Sequence, residues 1–139
     1  MTGLKGVKVL VIEDIEDLLE FHRRWLTQRG AVFVGSLDGQ GGIEKLRENL
    51  DISVVVLDMV LPDISGHAVF EELRRLKPDI PVVICTGYAN LIEEYKGKHN
   101  VEGIHKPFQL PVLEAAILAM CGKTKPSGGS SSESKSNRD

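Results

Sequence analysis

The chain has 139 residues, of which 42% are apolar and 27% charged, which is typical of one globular domain and excludes a wholly disordered, collagenous or coiled-coil protein. Seventeen basic against twenty acidic residues give a net charge of −3, which offers no electrostatic footprint for nucleic acid or an anionic membrane. No apolar run approaches the length of a membrane span, and Cys85 and Cys121 lack metal or redox spacing, which favours reduced thiols in a cytoplasmic protein.

Short apolar runs alternate with helical periodicity along the first 121 residues. The predicted elements in chain order are strand 7–12, helix 15–26, strand 31–34, helix 39–49, strand 54–57, helix 69–76, strand 81–85, helix 91–98, strand 101–104 and helix 110–120. Phe21 and Trp25 are expected to lie partly in the core, and Leu50 is expected to share a buried helix face with Ile43 and Leu46.

The regular alternation of strands and helices predicts a parallel sheet with helices on both faces, a doubly wound α/β fold. Residues 122–139 contain six Ser, three Gly and no large apolar residue, so they are predicted to be a disordered tail or the stub of a linker. The tail carries four basic and two acidic residues, which leaves 13 basic and 18 acidic residues in the domain at 1–121, a net charge of −5.

Residues able to do chemistry follow four of the five predicted strands. Because ligands bind beyond the carboxyl ends of strands in an open parallel sheet, these residues are expected to form one site: Glu13, Asp14, Asp58, Thr86 and Lys106. Clustered carboxylates repel, so the pKa of at least one should rise unless a cation is bound, and Mg²⁺ suits such oxygen ligands. Metal and lysine together would stabilise an incoming phosphoryl group, with Thr86 donating a hydrogen bond and one carboxylate acting as nucleophile.

Four of these five residues also have an ordinary structural interpretation. Asp14 is as well explained as a helix cap as it is as a metal ligand. Asp58 before Leu61-Pro62 can be a turn residue, and Thr86-Gly87 or Lys106-Pro107 can be a cap or turn. The combination of all of them at separate strand ends is what favours the functional interpretation.

Four motifs in order carry a family resemblance: VLVIEDIED, VVVLDMVLPDISG, VVICTGY and HKPF. Together they resemble the receiver domain of two-component response regulators, over about residues 6–121. The resemblance implies a flavodoxin-like (βα)5 fold with strand order 2-1-3-4-5. It also implies a signalling switch rather than an enzyme, with only Mg²⁺-dependent self-phosphorylation and self-dephosphorylation. The partners it implies are a histidine kinase or histidine phosphotransfer protein and a downstream protein, with the domain a monomer or a weak phosphorylation-dependent dimer.

The resemblance also assigns roles to individual residues. Asp58 is similar to the phospho-accepting aspartate, and Asp14 and Glu13 to the acidic pair that binds Mg²⁺ directly and through water. Val60 would supply its backbone carbonyl to the metal. Thr86 matches the switch hydroxyl, and Lys106 the lysine that pairs with the phosphorylated aspartate. The bond between Lys106 and Pro107 resembles the family's cis peptide.

One position departs from the family pattern. Receivers usually carry Tyr or Phe three residues before the lysine, as an aromatic switch coupled to the threonine, and this chain has Gly103 there. Tyr88 and His105 are the candidates to compensate for it. His22, His67 and His99 share no ligand spacing and are expected to be surface or partly buried histidines, with His22 on the apolar face of the first helix.

Two alternative functions are weighed against the switch. An aspartyl-phosphate phosphatase or phosphotransferase of the haloacid-dehalogenase type needs an acid/base Asp two residues after the nucleophile, where this chain has Val60. A receiver fragment of a hybrid histidine kinase stays open, because the Ser/Gly-rich tail resembles an interdomain linker.

Overall fold

A computed structural model describes residues 3–122, which form five parallel strands and five helices in strict alternation. Residues 123–139, nearly all of the predicted tail, lie outside the described residues, so the division at residue 121 stays a prediction. The elements are β1 (Lys8–Ile12), α1 (Glu16–Gln28), β2 (Val32–Ser36), α2 (Gly39–Glu48), β3 (Val54–Asp58), α3 (Gly66–Leu76), β4 (Val82–Thr86), α4 (Ala89–Tyr95), β5 (Val101–His105) and α5 (Leu110–Gly122).

The strand order is β2-β1-β3-β4-β5, which confirms the doubly wound sheet and the order 2-1-3-4-5. The central strands are continuous apolar runs because both faces of the sheet are covered. Alternate residues of β3 belong to different cores: Val55 and Leu57 face α2, α3 and α4, whereas Val54 and Val56 face α1 and α5. Within residues 3–122, no helix is both long enough and apolar enough to cross a bilayer.

The predictions for Leu50 and for the end of the second strand are wrong. Leu50 does not share the buried face of α2, because the helix ends at Glu48 and the Leu50 side chain is 56% exposed. Gly35 and Ser36 do not follow the second strand but belong to it, since pairing with β1 continues to Ile12 opposite Ser36. Backbone hydrogen bonding at the sheet edge thus extends β2 past its last apolar residue.

Candidate functional site

The carboxyl ends of four strands bring the predicted site residues to one edge of the sheet. β1 and β3 are hydrogen-bonded neighbours, with Ile12 opposite Leu57, so Glu13 after β1 lies beside Asp58 at the end of β3. Asp58 pairs in turn with Cys85, which places Thr86 one residue further along β4. The parallel register of the strands is therefore enough to place Glu13, Asp58 and Thr86 next to one another.

Three carboxylates form a compact cluster. One oxygen each from Glu13, Asp14 and Asp58 lie within 4.8 Å of one another. Glu13 and Asp58 are buried, and Asp14 is exposed at the opening. Three carboxylate oxygens at this spacing, open to water on one side, fit a hard divalent cation such as Mg²⁺, which keeps several of its waters when bound. The backbone N–H of Val60 donates to Asp58 Oδ1 at 3.1 Å, so the predicted backbone ligand lies next to the cluster.

Lys106 supplies the positive charge of the site. Its Nζ lies 3.1 Å from Glu13 Oε1 and 3.4 Å from Asp58 Oδ2. Burial acts to lower the pKa of the Lys106 ammonium, but the Asp58 and Glu13 carboxylates outweigh burial and raise that pKa above its ordinary value. The lysine is therefore a fixed cation held between the two buried acids.

Asp58 is a carboxylate of the cluster whose pKa is raised, as expected for at least one of them. Burial raises the pKa of Asp58 from 3.8 to about 6, and the negative charge of Glu13 adds to the rise. The Val60 N–H and the Lys106 charge oppose it. Burial therefore raises the pKa of Asp58 more than does the repulsion between carboxylates, from which the rise was inferred. With a pKa of about 6, Asp58 is still mostly ionised at neutral pH.

Thr86 and the turn after β5 complete the site. Thr86 is buried at the end of β4, and its Oγ1 accepts a hydrogen bond from the Tyr88 N–H at 3.1 Å. Its carbonyl accepts from the backbone N–H of Lys106 at 2.8 Å, which ties the β4 and β5 ends together. The peptide bond between Lys106 and Pro107 is cis.

At Gly103 the side chain of Ile92 from α4 takes the place of a β5 aromatic. A Cβ atom at Gly103 would lie 2.8 Å from Ile92 Cγ2, closer than side chains normally pack. The two proposed substitutes point to solvent, since Tyr88 is 59% exposed and His105 is exposed as well. Neither is packed where the aromatic would be.

A groove of about 800 Å³ opens beside Lys106, between α1 and the turn into α5. We name it the α1 groove, and its lining includes Ile15, Phe21, His22, Trp25, Pro107 and Phe108. Phe21 does not lie in the core as predicted but is 57% exposed, whereas Trp25 is half-buried. An amphipathic helix pattern could not reveal the groove, because the turn after β5 forms its other wall.

His22 is the buried titratable group of this groove. It is 3% exposed, its ring stacks on Phe108 with centroids 6.2 Å apart, and its Nδ1 has no hydrogen-bond partner. Burial, with a smaller contribution from the Lys106 charge, lowers the pKa of His22 from 6.5 to about 4. The folded chain therefore holds a neutral imidazole here.

Replacing His22 by Phe is expected to make folding less sensitive to acid. A pKa lowered by folding contributes stability that is complete above pH 6.5 and is lost as the pH falls towards about 4. Urea unfolding should show a loss between about pH 8 and about pH 4.5 that is smaller by about 2 kcal/mol in His22→Phe than in wild type. An equal loss in the two proteins would contradict a buried neutral His22.

Comparison with known proteins agrees with this geometry. The family model described as response regulator receiver domain matches residues 9–118. The transcriptional regulatory protein PrrA of Mycobacterium tuberculosis is 28% identical over 134 residues, covering 95% of this chain and 57% of PrrA. Response regulator RR06 of Streptococcus pneumoniae is 32% identical over 120 residues, covering 82% of this chain and 52% of RR06. The chain thus spans about half the length of these curated relatives.

Solved structures give the same result. A response regulator receiver domain protein from Clostridium thermocellum superposes with a TM-score of 0.78 at 27% identity, over 84% of this chain and 95% of that one. A response regulator receiver protein from Sinorhizobium medicae gives 0.75 at 27% identity, over 86% and 97%. Sequence family, strand order and overall structure agree, and the chain belongs to the response regulator receiver domain family.

Proposed function

We propose that this receiver accepts a phosphoryl group on Asp58 from a phosphohistidine of a histidine kinase or histidine phosphotransfer protein. The observation that carries the proposal is the arrangement of Asp58 between a second buried acid, Glu13, and the Lys106 ammonium, 3.4 Å from its Oδ2. Asp58 is a buried carboxylate with a fixed cation on one side and an acidic cluster open to water on the other. This arrangement is suited to accepting a phosphoryl group.

In the proposed reaction an Asp58 oxygen attacks the phosphorus and forms a new P–O bond. The P–N bond of the phosphohistidine breaks, and the displaced imidazole keeps the bonding pair and takes up a proton. Bound Mg²⁺, held by Asp14, Asp58, the Val60 carbonyl and, through water, Glu13, would neutralise charge on the phosphoryl oxygens. Lys106 stays paired with the modified side chain, and the Thr86 hydroxyl turns from Tyr88 N–H to the new phosphoryl oxygens.

Phosphorylation adds about −1.5 to −2 charge at one point, which is the signal of the proposed switch. Val60 occupies the position of the acid/base group in haloacid-dehalogenase-type phosphatases, and it is an exposed apolar side chain that can neither donate nor accept a proton. We therefore propose that phosphorylation of Asp58 switches a surface of this domain that binds a downstream protein.

The direct experiment is intact mass spectrometry of the chain after incubation with a small acyl phosphate donor. One added phosphoryl group is expected with Mg²⁺, and none with a chelator. Uptake that is equal with and without chelator would contradict a metal-assisted transfer at the acidic cluster.

We further propose that the phosphohistidine donor docks on the α1 groove. A donor must bring its phosphoryl group into contact with Asp58, so it also covers the rim beside Lys106, and the α1 groove is the large apolar concavity at that rim. Exposed Phe21 offers the kind of aromatic anchor that concentrates binding energy in an interface.

Replacing Phe21 by Ser is expected to slow transfer from a protein donor and to leave transfer from a small acyl phosphate unchanged. With a phosphohistidine protein that labels the wild type, the rate at low donor concentration should fall about tenfold. Leu50→Ser is the matched control, because Leu50 is equally exposed, at 56%, but lies after α2 at the opposite edge of the sheet. Equal losses with both kinds of donor would contradict docking at the groove.

A further inference from the structure

A clasp made by His67, Glu94 and Tyr95 joins α4 to the first turn of α3. Tyr95 is only 4% exposed, and its hydroxyl is hydrogen-bonded to His67 Nδ1. The two rings stack with centroids 5.3 Å apart, and His67 Nε2 lies 3.2 Å from Glu94 Oε1. The edge of Tyr95 also packs on Phe70 of α3, with centroids 5.0 Å apart. We call His67, Glu94 and Tyr95 the α3–α4 clasp.

The clasp lies one residue from a tight contact with the backbone after Asp58. Gly66, which precedes His67, donates its N–H to the Met59 carbonyl at 3.2 Å. A Cβ atom at Gly66 would lie 2.6 Å from Met59 Cα, so this approach excludes any side chain. Met59 follows Asp58 directly and is 5% exposed. A contiguous set of packed groups therefore runs from Asp58 through Met59 and Gly66 to α4.

The clasp also holds the chain's one buried tyrosine. Of the two tyrosines in the sequence, Tyr88 is 59% exposed and Tyr95 is buried. Gly103 leaves β5 without an aromatic, and Ile92 fills the space in front of it. α4 has only seven residues, and its N-cap residue Tyr88 makes no side-chain capping hydrogen bond, so contacts with α3 and the sheet position it.

We propose that Tyr95 and His67 are positioning residues that hold α4 in its unphosphorylated position and release it when Asp58 is phosphorylated. This inference rests on the proposed function at Asp58. By linkage, a contact made only in the unphosphorylated state opposes phosphorylation, so breaking the clasp favours the phosphorylated state. The effect is reciprocal, because phosphorylation weakens the clasp by the same factor.

The test compares binding of beryllofluoride, in the presence of Mg²⁺, by the full chain and by Tyr95→Phe, His67→Ala and the double variant. Tyr95→Phe removes the hydroxyl but keeps the ring packed on Phe70. Each single variant is expected to bind beryllofluoride about three- to tenfold more tightly, the size of one lost hydrogen bond. The double variant should be no tighter than the stronger single variant, since both remove the same contact.

A matched control and a second readout separate positioning from simple support of the fold. His99→Ala removes another exposed His–carboxylate pair, with Asp79 at 2.9 Å, outside the clasp, and should leave the affinity unchanged. Stability measured by urea unfolding should fall in the clasp variants while affinity rises. If the wild type binds beryllofluoride and both single clasp variants bind it with the same or a lower affinity, the inference fails but the proposed function stands. No binding by any protein, wild type included, would overturn the proposed function and the inference with it.

Discussion

Asp58→Asn is expected to abolish phosphoryl uptake and, at the same time, to stabilise the fold. The carboxamide is neutral and is not a nucleophile, so no acyl phosphate forms. Folding raises the pKa of Asp58 from 3.8 to about 6, which means that the folded chain binds this proton more tightly than the unfolded chain. The stability contributed by that proton is complete below about pH 4 and is lost as the pH rises through about 6.

The stability that Asp58→Asn gains over the wild type must therefore increase with pH. Measured by urea unfolding with chelator present, the advantage of Asp58→Asn should be about 2 kcal/mol greater at about pH 8 than at about pH 4.5. Asp14→Asn is the matched control, because Asp14 belongs to the same cluster but is exposed. If Asp58→Asn were less stable than wild type at the higher pH, the description of Asp58 as a buried carboxylate with a raised pKa would be wrong.

Lys106→Met is expected to destabilise the fold by about 3 kcal/mol at neutral pH, since removing one partner leaves two buried carboxylates without a compensating charge. The Lys106 side chain is 23% exposed, whereas those of Glu13 and Asp58 are 3% and 9% exposed, so the two acids are largely buried beside the lysine that compensates their charge. Urea unfolding in chelator measures the loss.

A control variant and a double variant test the prediction for Lys106→Met. Lys96→Met breaks the pair with Glu93, whose side chains are 72% and 67% exposed, and should change stability by less than about 1 kcal/mol. Adding Asp58→Asn to Lys106→Met should recover part of the loss, because only Glu13 then remains charged beside the missing lysine. If the charges interact, Asp58→Asn raises stability more in the Lys106→Met background than in the wild type, and an equal gain in the two backgrounds would show that they do not.

The sequence predicts the parallel sheet and the residues of the site because both depend on local patterns, whereas the strand order is implied by the family resemblance. Apolar runs mark the strands, and parallel register then places whatever follows them at one edge, as with Glu13 and Asp58. Local patterns fail where pairing partners decide the boundary, as at Gly35 and Ser36 of β2. They also predict that the pKa of at least one clustered carboxylate rises, but they identify neither Asp58 nor burial, which is the main cause.

The contacts of the α3–α4 clasp and of the α1 groove join elements that are distant in sequence, and they leave no periodic signal. His67 and Tyr95 are 28 residues apart, and nothing in either segment marks them as partners. Ile92 in front of Gly103 and the α1 groove around Phe21 likewise depend on how α4 and the turn after β5 pack. The glycine at the usual aromatic position signals in the sequence only that the chain departs from the family pattern there.

The most direct measurement is to locate the phosphoryl group. After incubation with a small acyl phosphate and Mg²⁺, borohydride reduction converts a phosphorylated aspartate to homoserine, which peptide mass spectrometry assigns to a position. The account predicts homoserine at residue 58 and unmodified side chains at Glu13 and Asp14. A reduced residue elsewhere, or an intact Asp58 in a chain that has gained a phosphoryl group, would contradict it.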